Sequence, residues 1–114
     1  MTKSPSANYS DFSSLDIRVG TVLTAEIFAE ARRPAYKLTI DFGEMGILKS
    51  SAQITDYYQP QDLLGKQIIA VVNFPAKQIA TLMSQCLVLG SLDSVGAVTL
   101  LQPDRQVKNG DKIA

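Results

Sequence analysis

Ile17-Arg18-Val19-Gly20-Thr21-Val22-Leu23-Thr24-Ala25-Glu26-Ile27 sets Ile17, Val19, Thr21, Leu23, Ala25 and Ile27 on one parity. Alternation with a period of two marks a strand with one face buried, and the odd-numbered face, being the more apolar, is expected to point inward. Gly20 interrupts the run. A residue without a side chain suits the bend or bulge that closes a small barrel.

Working outward, Ala29 to Pro34 breaks the alternation with Glu30, Arg32 and Arg33 and reads as a loop. A second strand follows from Ala35 to Phe42, with Tyr36, Leu38, Ile40 and Phe42 on one face and Lys37, Thr39 and Asp41 on the other. Gly43 to Gly46 is a turn into a third strand, Ile47 to Ile54. Its inner parity is Leu48, Ser50, Ala52 and Ile54, and its outer parity is Lys49, Ser51 and Gln53. These two strands form a hairpin. Tyr58 to Gly65 reads as one or two helical turns, with Pro60 at the first helical position and Gly65 just past the last. Gln67 to Asn73 is apolar on both parities, so both of its faces are expected to be buried. Phe74 to Ser84 reads as a long connection, followed by strands at Cys86 to Leu89 and Val98 to Leu101 and a tail with turn signals at Pro103-Asp104 and Asn109-Gly110. Three strands, a short helix and two strands is the order of an all-β, five-stranded OB-fold barrel, whose binding surface is strands 2 and 3 with loops 1–2 and 4–5.

A chain of 114 residues is the size of one domain, and 46% hydrophobic residues suffice for a core. The slightly positive mean hydropathy, +0.07, implies apolar surface left over for a dimer contact or a ligand groove. Eleven basic residues balance 11 acidic ones, which argues against nucleic-acid binding through the overall field and leaves a local patch open. Histidine is absent and the one cysteine, Cys86, lies in an apolar run. No general base of the usual kind, zinc site or internal disulfide is therefore expected, and Cys86 reads as a small buried thiol. No phosphate-cradling glycine loop is present, so neither a nucleotide nor another cofactor is expected. The polar start of the chain resembles no signal peptide and no apolar run is long enough for a membrane helix, which makes the cytoplasm the expected compartment. Residues 1–10 are expected to be flexible. Tyr9, Phe12 and Leu15 form a short apolar stripe that needs something to pack on. With the apolar residues of strand 4 and with Val98, Leu100 and Leu101, that stripe marks 11–16 and 91–114 as extensions that pair two subunits.

Asp16-Ile17-Arg18-Val19-Gly20, the run Tyr57 to Gly65, and Asn73-Phe74 resemble the tRNA-binding domain family. Ala31 to Leu38, Lys49 to Thr55, and Val71 to Lys77 are similar to its CsaA branch of dimeric, export-related chaperones. The likeness runs from about Leu15 onward. It implies an OB-fold homodimer that binds unfolded or precursor polypeptides and meets the Sec translocation motor. The tRNA-binding relatives typically carry Ser-Gly at the end of strand 3, where this chain has Ala52-Gln53. They also carry Ser-x-Gly-Met after loop 4–5, where this chain keeps Ser84 but has Cys86 and Leu87. Structure-specific tRNA binding is accordingly the second reading.

On the OB template, Arg32 and Arg33 fall in loop 1–2, Lys37 on strand 2, Lys49 on strand 3 and Lys77 in loop 4–5. Thr39, Ser51 and Gln53 add hydrogen-bonding groups, and Phe74, Pro75 and Ile79 add apolar contacts. Asn73 and Ser84, from the resembling motifs, complete the candidate site. Such a surface suits an extended polypeptide. Single-stranded nucleic acid would need exposed aromatics for stacking, and the outer parities of strands 2 and 3 carry none.

Overall fold

The computed structural model describes residues 4–114. In chain order the elements are α1 (Tyr9–Ser13), β1 (Ile17–Ile27), β2 (Tyr36–Asp41), β3 (Ile47–Ala52), α2 (Pro60–Leu63), β4 (Gln67–Val71), β5 (Lys77–Ile79), β6 (Leu82–Ser84), β7 (Leu87–Val88), β8 (Gly90–Leu92) and β9 (Val98–Leu100). One sheet runs in the order β3-β2-β1-β4-β7. β1 is shared between two partners: Ile17 to Thr21 pair with β4, and Thr21 to Ile27 pair with β2. That sharing curls the sheet until its outer strands meet. Gln85 N–H donates to the Lys49 carbonyl (2.8 Å), Lys49 N–H to Gln85 Oε1 (2.9 Å) and Ser50 Oγ to the Cys86 carbonyl (2.9 Å). The fold is the expected all-β, five-stranded, nearly closed OB barrel.

Tyr36, Leu38, Ile40 and Phe42 of the second strand segment point inward with Ser50, Ala52 and Ile54 of the third, as their parity requires. α2 places Leu63 in the same core, and Gly65 follows at φ +78°. The hydroxyl tips of the two core tyrosines are satisfied. Tyr36 Oη donates to the Tyr58 carbonyl (2.6 Å), and Tyr58 Oη accepts from Leu100 N–H (3.0 Å).

β1 departs from the alternation read in it. A Cβ at Gly20 would lie 2.6 Å from Ile40 Cγ2, so the interior side is that of Gly20 and Val22. The bulge is not at Gly20 but between Val22 and Thr24, and it reverses the faces. Leu23 is left outside, whereas Ala25 packs on the core; Ile27, opposite Tyr36 at the end of β1, is exposed although it shares the parity of Ala25. Ile17 and Val19 are buried, but outside the main cluster.

The C-terminal segment lies against the outer side of β1 and β4. Gln67, itself buried, donates from Nε2 to the Val107 carbonyl (2.8 Å) and to Asn109 Oδ1 (3.1 Å), and accepts from Val107 N–H (3.0 Å). Gly110 N–H then reaches the Val19 carbonyl, Val19 N–H the Asp111 carbonyl, and Ile113 N–H the Ile17 carbonyl. This segment explains why Gln67 to Val71 is buried on both faces. Gln67→Leu strands the Val107 N–H and should cost about 1–3 kcal/mol. Hydrogen exchange at 107–113 is expected to accelerate well ahead of exchange in β2 and β3.

Two further differences concern short strands. The connection from Phe74 to Ser84 contains the β5–β6 hairpin, turned at Ala80 with φ +48°. β9 pairs with β8 around a turn in which Asp93 Oδ1 accepts from Val95 and Ala97 N–H. At the other end, α1 begins inside the stretch 1–10 expected to be flexible. Residues 1–3 of that stretch lie outside the described residues. Tyr9 and Phe12 stack at 6.4 Å and remain exposed. Among the described residues no helix is long and apolar enough to cross a membrane.

Candidate functional site

Loop 1–2 is folded on a small core of its own. Phe28 N–H donates to the Ala35 carbonyl (3.0 Å), closing the loop at its base. Phe28, Ala35 and Leu82 are buried together, with Ala31 and Ile79 packed against them, in a cluster separate from the barrel core. Leu82 and Ile79 belong to the β5–β6 hairpin, so the cluster fastens loop 1–2 to loop 4–5. Between them, against the end of β3, opens a cavity of about 670 Å³ lined by Arg32, Arg33, Ser51, Gln53, Lys77 and Ile79, among others. A second depression of about 280 Å³ shares Ser51, Gln53, Lys77 and Ile79 and adds Phe74, Pro75 and Ser84. Nine of the thirteen residues named from the sequence thus line one continuous groove.

Lys37, Thr39 and Lys49 stand beside it. Lys37 is paired in register with Ser51 and Thr39 with Lys49, which sets all four on the outer face of the hairpin. Lys37 Nζ sits 5.6 Å from the centre of the Phe28 ring, within cation–π range. The Thr39 hydroxyl shares a hydrogen bond with that of Thr24 (2.6 Å). Asn73 lies apart. Its Oδ1 accepts from Asp16 N–H (2.8 Å) and its Nδ2 donates to the Ser14 carbonyl (2.8 Å), so its amide tethers the segment that follows α1. Ser84 Oγ accepts from Ser51 N–H (3.2 Å) and helps to hold the groove's edge.

Sequence reasoning passed over Glu30, whose carboxylate side chain lines the larger cavity and accepts from Thr81 Oγ (3.5 Å). It also missed Gln78, on β5, and Leu87, on the rim of the smaller depression. A hairpin read in Lys77 to Ser84 would have pointed to Gln78.

Cys86, at the floor of the smaller depression, is buried. Burial pushes its thiol up to about 11, against the opposing pull of a hydrogen bond with Ser50. Only about one molecule in a thousand then carries the thiolate at pH 8. Native protein should react with a disulfide reagent there roughly a hundred-fold more slowly than a free thiol. Denaturant should restore the ordinary rate.

An OB barrel with a groove of cations, amides and apolar side chains on its open face is a binding module, and comparison places it: the chain belongs to the family described as "Putative tRNA binding domain", which it matches over 17–112. Within that family it is similar to the CsaA proteins. It is 55% identical to the chaperone CsaA of Bacillus anthracis, with a TM-score of 0.92 over 96% of this chain and 100% of that one. It is 53% identical to the CsaA chaperone protein of Picrophilus torridus, with a TM-score of 0.89 and the same coverage. The methionine–tRNA ligase of Methanosarcina mazei is 32% identical over 109 residues, which is 96% of this chain. The chain spans about 15% of the length of that ligase and of the others it matches.

Proposed function

We propose that the protein is a nucleotide-independent, non-catalytic chaperone that holds unfolded or precursor polypeptides in the groove between loop 1–2, the end of β3 and the β5–β6 hairpin. The observation that carries this reading is the single groove joining Arg32, Arg33 and Lys77 to Ser51, Gln53, Ile79 and Phe74. Amides and hydroxyls can meet a main chain, apolar walls accept side chains, and the cations favour clients with complementary charge. The similarity to the CsaA chaperones supports the same conclusion. In this reading the protein works in the cytoplasm as a homodimer, paired through its N-terminal and C-terminal segments, and delivers precursors to the Sec translocation motor.

The test is suppression of aggregation of a chemically denatured client. Arg33→Glu/Lys77→Glu should need about tenfold more protein than the wild type, the effect of losing roughly 1.4 kcal/mol of client binding. Equal potency would remove the groove from the mechanism.

The second reading, tRNA binding, is favoured by the family match and by the cluster of cations in the groove. It requires phosphate contacts, so affinity should fall steeply with salt. Absence of tRNA binding at low salt would end it. The polypeptide reading is preferred because the outer face of β2 and β3 offers Lys37, Thr39, Lys49 and Ser51, with Gln53 just past the end of β3, and no aromatic platform for stacking.

A further inference from the structure

Asn109-Gly110 is the chain's one Asn-Gly pair, and the fold holds both residues in place. Gly110 has φ +92°, and a Cβ there would stand 2.6 Å from the Phe42 carbonyl oxygen, so only glycine fits without strain. Asn109 Oδ1 accepts from Thr21 Oγ1 (2.7 Å) and from Gln67 Nε2 (3.1 Å), which fastens its side chain to β1 and β4 together. Gly110 N–H donates to the Val19 carbonyl (2.7 Å). Each of these bonds is made within one chain.

The same pair is chemically labile. Asparagine is among the less durable side chains, and a glycine after it offers no Cβ to obstruct attack by its own nitrogen. In that attack the Gly110 nitrogen gives its proton to hydroxide and bonds to Asn109 Cγ, while Nδ2 takes a proton from water and leaves as ammonia. Water then opens the cyclic imide. Addition at Cγ restores the original peptide bond and leaves aspartate. Addition at the main-chain carbonyl carbon leaves isoaspartate, with the chain now running through the side-chain methylene. Nothing is oxidised or reduced. The docked segment opposes the first step, because the proton that must leave the Gly110 nitrogen is held by the Val19 carbonyl. The donors on Oδ1 polarise Cγ, but they also pin the side chain that would have to turn toward that nitrogen.

We propose that Asn109 is a deamidation site gated by the docking of the C-terminal segment. Docked, the fold shields the amide. Each local opening frees the Gly110 nitrogen and lets the conversion proceed at the rate of an unstructured chain. Isoaspartate lengthens the path between Asn109 and Gly110, so Gly110, Asp111 and Ile113 can no longer meet Val19 and Ile17 in register. The conversion therefore makes an opening permanent, and the outer side of β1 and β4 stays uncovered.

The experiment incubates the full-length protein in mildly alkaline buffer, native and in urea, and follows Asn109 by peptide mass spectrometry. Asn8 and Asn73, which precede bulky Tyr9 and Phe74, serve as internal standards. Conversion in native buffer should be about a hundred-fold slower than in urea, as expected for an open population near one per cent. Gln67→Leu removes one donor from Asn109 and should speed the native reaction about tenfold. Thr21→Val removes the other donor, leaves the Gln67 bonds to Val107, and should speed it less. Hydrogen exchange in β2 and β3 is recorded for each variant, and should Gln67→Leu loosen the barrel, Thr21→Val decides. The isoaspartate form, separated by its added charge, should exchange its amides at 110–113 as fast as an unstructured chain. Equal rates in native buffer and urea, or wild-type rates in Thr21→Val, would overturn the gating. Wild-type protection of 110–113 in the isoaspartate form would overturn its permanence. A native rate that falls as protein concentration rises would assign the shielding to a second copy of the chain, and the proposal fails.

Discussion

Gly20→Val is expected to lower stability by about 3 kcal/mol or more, a large share of the roughly 5–15 kcal/mol that holds such a domain together. A Cβ at position 20 would stand 2.6 Å from Ile40 Cγ2 and 2.7 Å from the Phe42 ring. Ile40 and Phe42 have no exposed surface and cannot move aside into solvent. The backbone of β1 cannot retreat either. Gly20 is paired with Ile68, and the adjacent Val19 is bonded to Gly110 and Asp111 of the C-terminal segment. The gain in strand propensity from glycine to valine, at most about 1 kcal/mol, does not offset the overlap. Urea denaturation followed by circular dichroism measures the effect. Phe42→Leu in the same chain should return part of the loss, because it removes one of the two obstructing groups. A Gly20→Val protein as stable as the wild type would show that β1 does not depend on this close approach.

The same glycine shows where sequence and structure part. Alternation in Tyr36 to Phe42 and in Leu48 to Ile54 predicts the inner face correctly, because a hairpin held in register on both strands keeps its parity. β1 bends between two partner strands, its interior side starts on the even parity of Gly20 and Val22, and a bulge that no residue type announces then leaves Leu23 outside and brings Ala25 in. Period-two reasoning has no means of placing it. Pro60 and Gly65 mark the helix, since their backbone preferences act locally. The β5–β6 hairpin was invisible for the opposite reason: its strands are three residues each, and Ala80 takes the left-handed conformation usually given to glycine or asparagine. Its formation depends on Leu82 reaching Phe28 and Ala35, residues remote in sequence. The groove was legible as a set of residues because the barrel order fixes which loops converge. Asn73 was not, because only the path of the chain near Ser14 and Asp16 reveals what its amide holds.

That remote cluster yields the second large effect. Phe28→Ala removes the ring that joins loop 1–2 to the hairpin, and truncating a buried phenylalanine typically costs about 3–5 kcal/mol. Phe28, Ala35 and Leu82 form a unit distinct from the barrel core. The loss should therefore fall on the attachment of the two loops rather than on the barrel, as expected where a domain opens in separate cooperative parts. Three results are expected together. The urea midpoint followed through the barrel should shift little, amides of β5 and β6 should exchange much faster, and client binding should weaken more than tenfold although no groove-lining cation is touched. Phe28→Leu, which keeps apolar volume but loses the ring beneath Lys37, should recover most of the binding. If Phe28→Ala instead lowers the midpoint by its full cost while folded molecules bind clients as before, the cluster belongs to the barrel's stability and the groove is shaped by the strands alone. A groove fixed in advance requires that separation. A cavity walled by two loops can present Arg33 and Lys77 at a constant spacing only if something other than the ligand holds the loops together, and Phe28 against Leu82 is the contact that does so.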